Sequence, residues 1–211
     1  MTVVRRSLAV VAVSALVAAG CHSAATPSAT RSITAPGRFT RADLDAIVLR
    51  PSDAPTGTVY VDAVSGFQDL TTFARDDVEL AHLRDDGFQV GHLSLFFPAG
   101  HANGGAPKPL TNDSLIVQGI AALFHDADGA ERSLERYVGD LRIRQIPDAH
   151  DVASDGLGDR AFGLQGTTPD GSRVLMYVWR VDNLVLAVSG SGPVEAADIR
   201  ALANRVNGRA D

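Results

Sequence analysis

The chain has one cysteine, Cys21, one lysine, Lys108, and one tryptophan, Trp179. A single cysteine excludes any disulfide within the chain, so the fold must hold by its core alone, which a domain of about 170 residues can do. The lone lysine stands beside eighteen arginines. With Ala, Gly, Asp and Val abundant, this is the residue usage of a GC-rich bacterial genome, and the arginines are no evidence of phosphate recognition. Long hydrophobic runs are missing as well. Leu8 to Gly20 is uncharged for 13 residues, short of the roughly 20 that a membrane-spanning helix needs. Basic charge is in deficit, with a formal net charge of −6. An acidic chain has no electrostatic case for nucleic acid and little for anionic lipid head groups.

What is present begins with an address. Arg5 and Arg6 precede the short apolar run, which exits through Val17-Ala18-Ala19-Gly20 onto Cys21. A basic start, a short apolar core and small residues at the exit are the parts of a secretory signal peptide. The exit resembles the bacterial lipobox, with Ala18 where that motif usually carries Leu. The resemblance implies that Cys21 is lipidated and becomes the mature N-terminus. Cleavage by the ordinary signal peptidase is the alternative, and it leaves a free thiol that a secreted chain must pair or modify. A diacylglycerol thioether removes that thiol. One acyl chain attaches only marginally, whereas two or three anchor firmly. The organisation expected is a signal peptide over 1–20, a lipidated Cys21 and flexible tether over 21–37, and a single domain over 38–211. Loss of Arg5 and Arg6 with the leader takes the formal charge from −6 to −8.

The tether is small, polar and proline-containing, with too little to bury to repay its ordering entropy. Beyond it, Phe39 to Val48 predicts a short helix with Thr40 as cap, and Thr58 to Val64 a strand. Asp69 to Asp86 predicts one longer helix, with Leu70, Phe73, Ala74, Val78 and Ala81 on its apolar face. Phe88–Phe97 and Leu115–Phe124 are the clearest strands. The Gly- and Pro-rich segment Pro98 to Asp113 joins them as a long hairpin loop. Asp128 opens a further helix, with Glu131 placed for a capping box. A three-strand meander follows, with turns at Thr168-Pro169-Asp170-Gly171 and Val181-Asp182-Asn183-Leu184. A last helix begins after Pro193. In Val174 to Val181, alternation puts Leu175, Tyr177, Trp179 and Val181 on one face, and Trp179 is expected to pack under helices. Hairpins dominate, so the fold class expected is α+β: a mainly antiparallel sheet of about five or six strands with helices packed on one face.

No segment carries a catalytic pattern. His125-Asp126-Ala127-Asp128-Gly129 has metal-binding residue types, but a calcium loop needs a bidentate Glu where Tyr137 stands, and a helix cap accounts for the acids. Ser189-Gly190-Ser191-Gly192 is not a nucleophile elbow. The six histidines show no spacing that joins one to a serine and an acid. No catalytic residue, metal or cofactor is therefore expected. Gly156-Leu157-Gly158-Asp159-Arg160 is the most distinctive interior string. Its glycines permit a tight entry to a strand, and Asp159 with Arg160 can satisfy turn backbone or pair.

That string, with Val178-Trp179-Arg180-Val181-Asp182-Asn183-Leu184-Val185-Leu186 after it, resembles small actinobacterial lipoproteins of undefined function, related to extracellular sensor-type domains. The likeness covers the C-terminal third. Asp182 stands where Gly is frequent in that pattern, and the paired cysteines of many sensor modules are missing. The resemblance implies an envelope location and an α+β binding module. The function expected is a lipid-anchored, non-catalytic ligand- or protein-binding module on the extracytoplasmic face of the cell membrane. The alternatives are a carrier of an apolar envelope molecule, which needs a cavity of at least a few hundred Å3, or an envelope hydrolase. The partners expected are the membrane, through Cys21, and an envelope protein or apolar ligand. The candidate binding residues are Phe96, Phe97, His101 and Lys108, at the sheet edge and on the long loop.

Overall fold

Polar caps and alternating apolar residues divide the chain into short helices and long strands. The computed structural model describes residues 35–102 and 110–211. The leader, Cys21, most of the tether and Lys108 lie outside the described residues. In chain order the elements are α1 (Arg41–Ile47), a 3-10 turn (Pro51–Asp53), β1 (Thr58–Tyr60), β2 (Gly66–Gln68), α2 (Leu70–Phe73) and α3 (Asp77–Asp85). Then follow β3 (Phe88–Pro98), α4 (Ala99–Ala102), β4 (Ile116–Phe124), α5 (Ala127–Asp140) and a π-type turn (Leu141–Gln145). The chain finishes with β5 (His150–Val152), β6 (Arg160–Thr167), β7 (Arg173–Val181), β8 (Leu184–Ser191) and α6 (Ala196–Ala210).

The strands form one sheet in the order β1-β3-β4-β8-β7-β6-β5, with β2 on a second stretch of β3. Every pairing is antiparallel. The α+β, antiparallel expectation holds, but the sheet has eight strands, not five or six. The strand expected over Thr58 to Val64 is shorter, β1 at Thr58–Tyr60, while β2 and β5 have three residues each, too few to give a periodic signal.

Helices cover both faces of the sheet, not one. On the first face α1 and α6 bury Leu44, Ile47, Leu202 and Val206 against Val117, Tyr177, Trp179 and Leu186. On the second, α3 and α5 bury Leu83, Leu134 and Val138 against Ala122, Met176, Val178 and Val185. The expected alternation in β7 is observed, and Trp179 is 0% exposed. On the opposite face of β7, Val174, Met176 and Val178 are buried as well, and two-sided cover follows from that.

The helix expected over 69–86 is two helices. Asp69 caps α2 by accepting from the Thr72 N–H at 2.9 Å. Asp76 caps α3 by accepting from the Glu79 N–H at 2.8 Å. The Asp76 carboxylate satisfies a helix-terminal donor, which favours a new start over continuation. Likewise Asp126, not Asp128, caps α5, through the Gly129 N–H at 2.8 Å.

Each face is fastened by one buried carboxylate between two arginines a helical turn apart. Asp53 in the 3-10 turn meets Arg205 at 3.0 Å and Arg209 at 2.8 Å on α6. Asp86, after α3, meets Arg132 at 3.0 Å and also Arg136 on α5. Burial pushes the Asp53 pKa up, but hydrogen bonds from Arg209, the Arg50 N–H and Arg205 outweigh it and hold the carboxyl at about 2. Such bonds to the charged form are the stronger kind.

The folded unit is also closed at one corner. The Arg38 N–H donates to Asp182 Oδ1 at 2.9 Å, and its guanidinium to the Ala210 carbonyl. Asn183, buried in the β7–β8 turn, accepts from the Phe39 N–H at 2.9 Å. Its amide donates to the carbonyls of Phe39 and Phe124 at 3.1 and 2.8 Å. Asp182 has φ 50, the left-handed position that a two-residue hairpin turn needs and Gly meets most easily. In the 156–160 string, a Cβ on Gly158 would lie 2.1 Å from the Arg180 carbonyl oxygen. Asp159 pairs with Arg180 at 3.0 Å, not with Arg160.

Candidate functional site

Of the binding residues nominated from sequence, Phe97 and His101 come together, their rings edge-on at 5.2 Å. Phe96 does not join them. It is 0% exposed and packs edge-on against Tyr60 at 5.3 Å in the α1–α6 core. Adjacent strand residues face opposite ways, so a paired Phe96–Phe97 surface is ruled out. Lys108 lies outside the described residues.

The fold does bring a histidine, a serine and an acid into one neighbourhood. His92 and Ser94 both face α1, and Asp45 lies close enough to favour the charged His92. Burial is the larger effect and lowers the His92 pKa. Ser94 is 0% exposed. It donates to the Leu49 carbonyl at 2.8 Å and stands 3.5 Å from His92 Nδ1. Its proton is committed to the backbone and its oxygen is sealed from solvent, so the group ties α1 to β3 and is not a nucleophile.

The cavity lies on the other face. A groove of about 630 Å3 runs between α3 and α5 over β3, β4, β8 and β7. Its floor includes Leu93, Ile120, Ala122, Met176, Val185 and Ala187. Ile120 pairs with Ala187 and Ala122 with Val185 across the β4–β8 ladder. Each large residue therefore faces a small one, and the missing side-chain volume is the groove. Phe73, Leu83 and Tyr137 form its walls. Val78 and Ile143 stand at its mouth, 57% and 77% exposed. Val78 was expected on a buried helix face. The break between α2 and α3 turns it outward. The π-type turn carries Ile143 and Arg144 to the opposite lip. Such π-type geometry is frequent at functional sites.

Charge at the rim is mutually satisfied. Arg75 reaches Glu79 at 2.8 Å and, across the groove, Asp140 at 2.8 Å. Arg144 holds Asp140 at 2.7 Å and reaches back to Asp76 at 3.7 Å. The Glu79 hydrogen bond, against the opposing effect of burial, raises the Arg75 pKa, and Asp140 adds to this. For Asp140 itself, burial favours the neutral form, but Gln145 and Arg75 prevail and lower the pKa. Burial pushes the Tyr137 hydroxyl up to about 12, so it stays a neutral donor. The site has apolar volume and hydrogen-bonding capacity. Its chemistry is suited to holding a molecule. Among the described residues no group of three His, Cys, Asp or Glu could hold a metal ion, and no helix is long and apolar enough to cross a membrane.

Sequence reasoning did not find this groove. Its small residues, Ala122 and Ala187, are unremarkable in any strand, and its charged rim unites segments far apart in the chain. Val78 and Ile143, apolar residues set among charged ones, were the available signal.

The fold and groove define a mainly antiparallel α+β module with helices on both faces. No protein-family model matches the chain, and no curated protein matches it. Among solved structures it is similar to the extracellular domain of PknH from Mycobacterium tuberculosis, with a TM-score of 0.51 at 11% identity. The likeness covers 83% of this chain and 97% of that domain. At that identity it establishes the fold alone.

Proposed function

We propose that this chain is a lipid-anchored, extracytoplasmic module of the cell envelope that binds an apolar ligand in the groove between α3 and α5. The observation that carries the proposal is the groove itself. A volume of about 630 Å3 lies inside the usual range for small-molecule sites, roughly 300–1,000 Å3. The floor is apolar and the mouth displays two aliphatic side chains. Support for the location comes from the leader-like segment before Cys21 and from the shared fold with an extracellular domain. The reading combines the binding module and the carrier expected from sequence, and it moves the site from the 98–113 loop to the groove.

Native mass spectrometry of protein taken gently from its own membrane tests the ligand. A stoichiometric small-molecule adduct is expected, and its loss in Ala187→Phe, which fills the floor, is expected with it. An adduct-free wild-type protein, or an adduct retained at full occupancy in the variant, would sink the groove assignment. Cys21→Ala tests the anchor separately. The variant should leave the membrane fraction and lose the mobility of the acylated form. Unchanged membrane retention would refute lipidation.

A further inference from the structure

Every charged side chain that lines the groove as Arg, Asp or Glu already has an opposite partner. Arg75 pairs with Glu79 and Asp140, and Arg144 with Asp140 and Asp76. Arg136 pairs with the buried Asp86. An anionic head group entering here would have to take an arginine from a carboxylate that is then left half-buried and uncompensated. For Asp86 and Asp140, whose side chains are 2% and 16% exposed, losing an arginine leaves a buried or partly buried charge short of its partner, which costs more than the pair itself contributes. An ammonium would meet the same obstacle with the carboxylates.

Apart from His82, the uncommitted polar groups are neutral amides and hydroxyls. Gln118 sits on β4 in the floor, opposite Leu95 on one side and Ser189 on the other. Among the described residues its side chain makes no hydrogen bond within the protein. The same is true of the side chains of Gln68 and Ser133 and of the Tyr137 hydroxyl, all of which line the groove. These groups offer both donors and acceptors beside an apolar floor. A ligand that is wholly hydrocarbon would leave them without partners, at a cost for each buried group.

Resting on the groove assigned above, we infer that its ligand is an amphipath with an uncharged, hydroxyl-bearing head and an acyl tail, and that Gln118 and Tyr137 recognise the head. The tail lies along Leu93, Ile120 and Ala187, and the lips Val78 and Ile143 give it an apolar path inward. Selectivity arises by exclusion as much as by attraction, because the paired rim disfavours charged heads.

The test uses the folded protein loaded with N-phenyl-1-naphthylamine, an uncharged fluorescent probe of apolar sites. The probe is displaced by 1-lauroylglycerol or by laurate, which share a tail and differ in head charge at about pH 8. The glycerol ester is expected to displace the probe at concentrations about tenfold lower than laurate. Gln118→Leu and Tyr137→Phe should each retain the probe and weaken 1-lauroylglycerol by about three- to tenfold, which narrows its advantage over laurate. Equal or better displacement by laurate would overturn the inference and leave the groove standing. So would variants that shift neither competitor relative to the other. Failure of the wild-type protein to take up the probe would instead remove the groove assignment on which the inference rests.

Discussion

Truncating Trp179 to alanine tests whether the sheet's first face is a packed core. The indole is 0% exposed and belongs to the layer under α1 and α6. A tryptophan buries about 200 Å2, worth about 5 kcal/mol at 25 cal/mol per Å2. One feature reduces that figure. The Nε1 donor is buried and without a hydrogen-bond partner, so the native state already bears a cost of about 1–3 kcal/mol for it, which the truncation relieves. The net loss expected is about 3 kcal/mol, at the lower end of the range for Trp→Ala in cores. For a domain of this size that is a fall in Tm of roughly 6–12 °C. Trp179→Phe separates the two contributions. It keeps an aromatic ring, removes the orphan donor, and should cost no more than about 1 kcal/mol. Urea unfolding followed by far-ultraviolet circular dichroism measures both variants. Because Trp179 is the sole tryptophan, native emission gives an independent reading and should be blue-shifted and resistant to iodide. A Trp179→Ala protein that melts with the wild type, or native emission that iodide quenches readily, would refute the argument. Trp179→Phe costing as much as the alanine would show that the unpaired donor is not a native-state burden.

Two further outcomes are expected from the polar anchors. Asp53, held at about 2 against an ordinary value near 3.8, contributes stability that is present above the unfolded carboxylate's pKa and is lost as pH falls through about 2. The stability gap between wild type and Asp53→Asn should therefore be constant above about pH 5 and close in stronger acid. A gap that stays unchanged from about pH 5 down to about pH 2 in acid-dependent unfolding would refute the clamp. Asn183→Ala removes three hydrogen bonds at the entry corner and leaves the carbonyl of Phe124 without its side-chain donor. It should cost about 2–3 kcal/mol and speed hydrogen exchange at the Phe39 amide, and an unchanged exchange rate there would count against the corner as described.

The sequence made the strands legible because their signals are local. Leu175, Tyr177, Trp179 and Val181 alternate as a buried face requires, and Gly156 and Gly158 do adopt positive φ. Thr40 caps α1 in a capping box with Asp43, as its place before the periodic run implies. Cover on both faces of the sheet has a local signal too. Val174 to Val181 and Leu184 to Val188 are apolar almost without interruption, the pattern of strands covered on both sides. The break at Ala74–Asp76 was harder to see, because the apolar spacing continues across it and only the capping habit of Asp76 interrupts it. The groove had no local signature. It arises from the small partners of large residues on neighbouring strands, and that complementarity exists only once the β4–β8 register is set.

The Arg38 guanidinium on the Ala210 carbonyl brings the segment before α1 and the last turn of α6 within one side chain's reach. Chain ends that meet can be spliced. A few residues joining Asp211 to Gly37 would leave every strand in its place, and new ends could be opened at the exposed Pro169–Gly171 tip between β6 and β7. The order in which the elements are threaded is thus separable from the architecture they build. The same geometry governs cargo: anything fused after Asp211 departs beside Arg38.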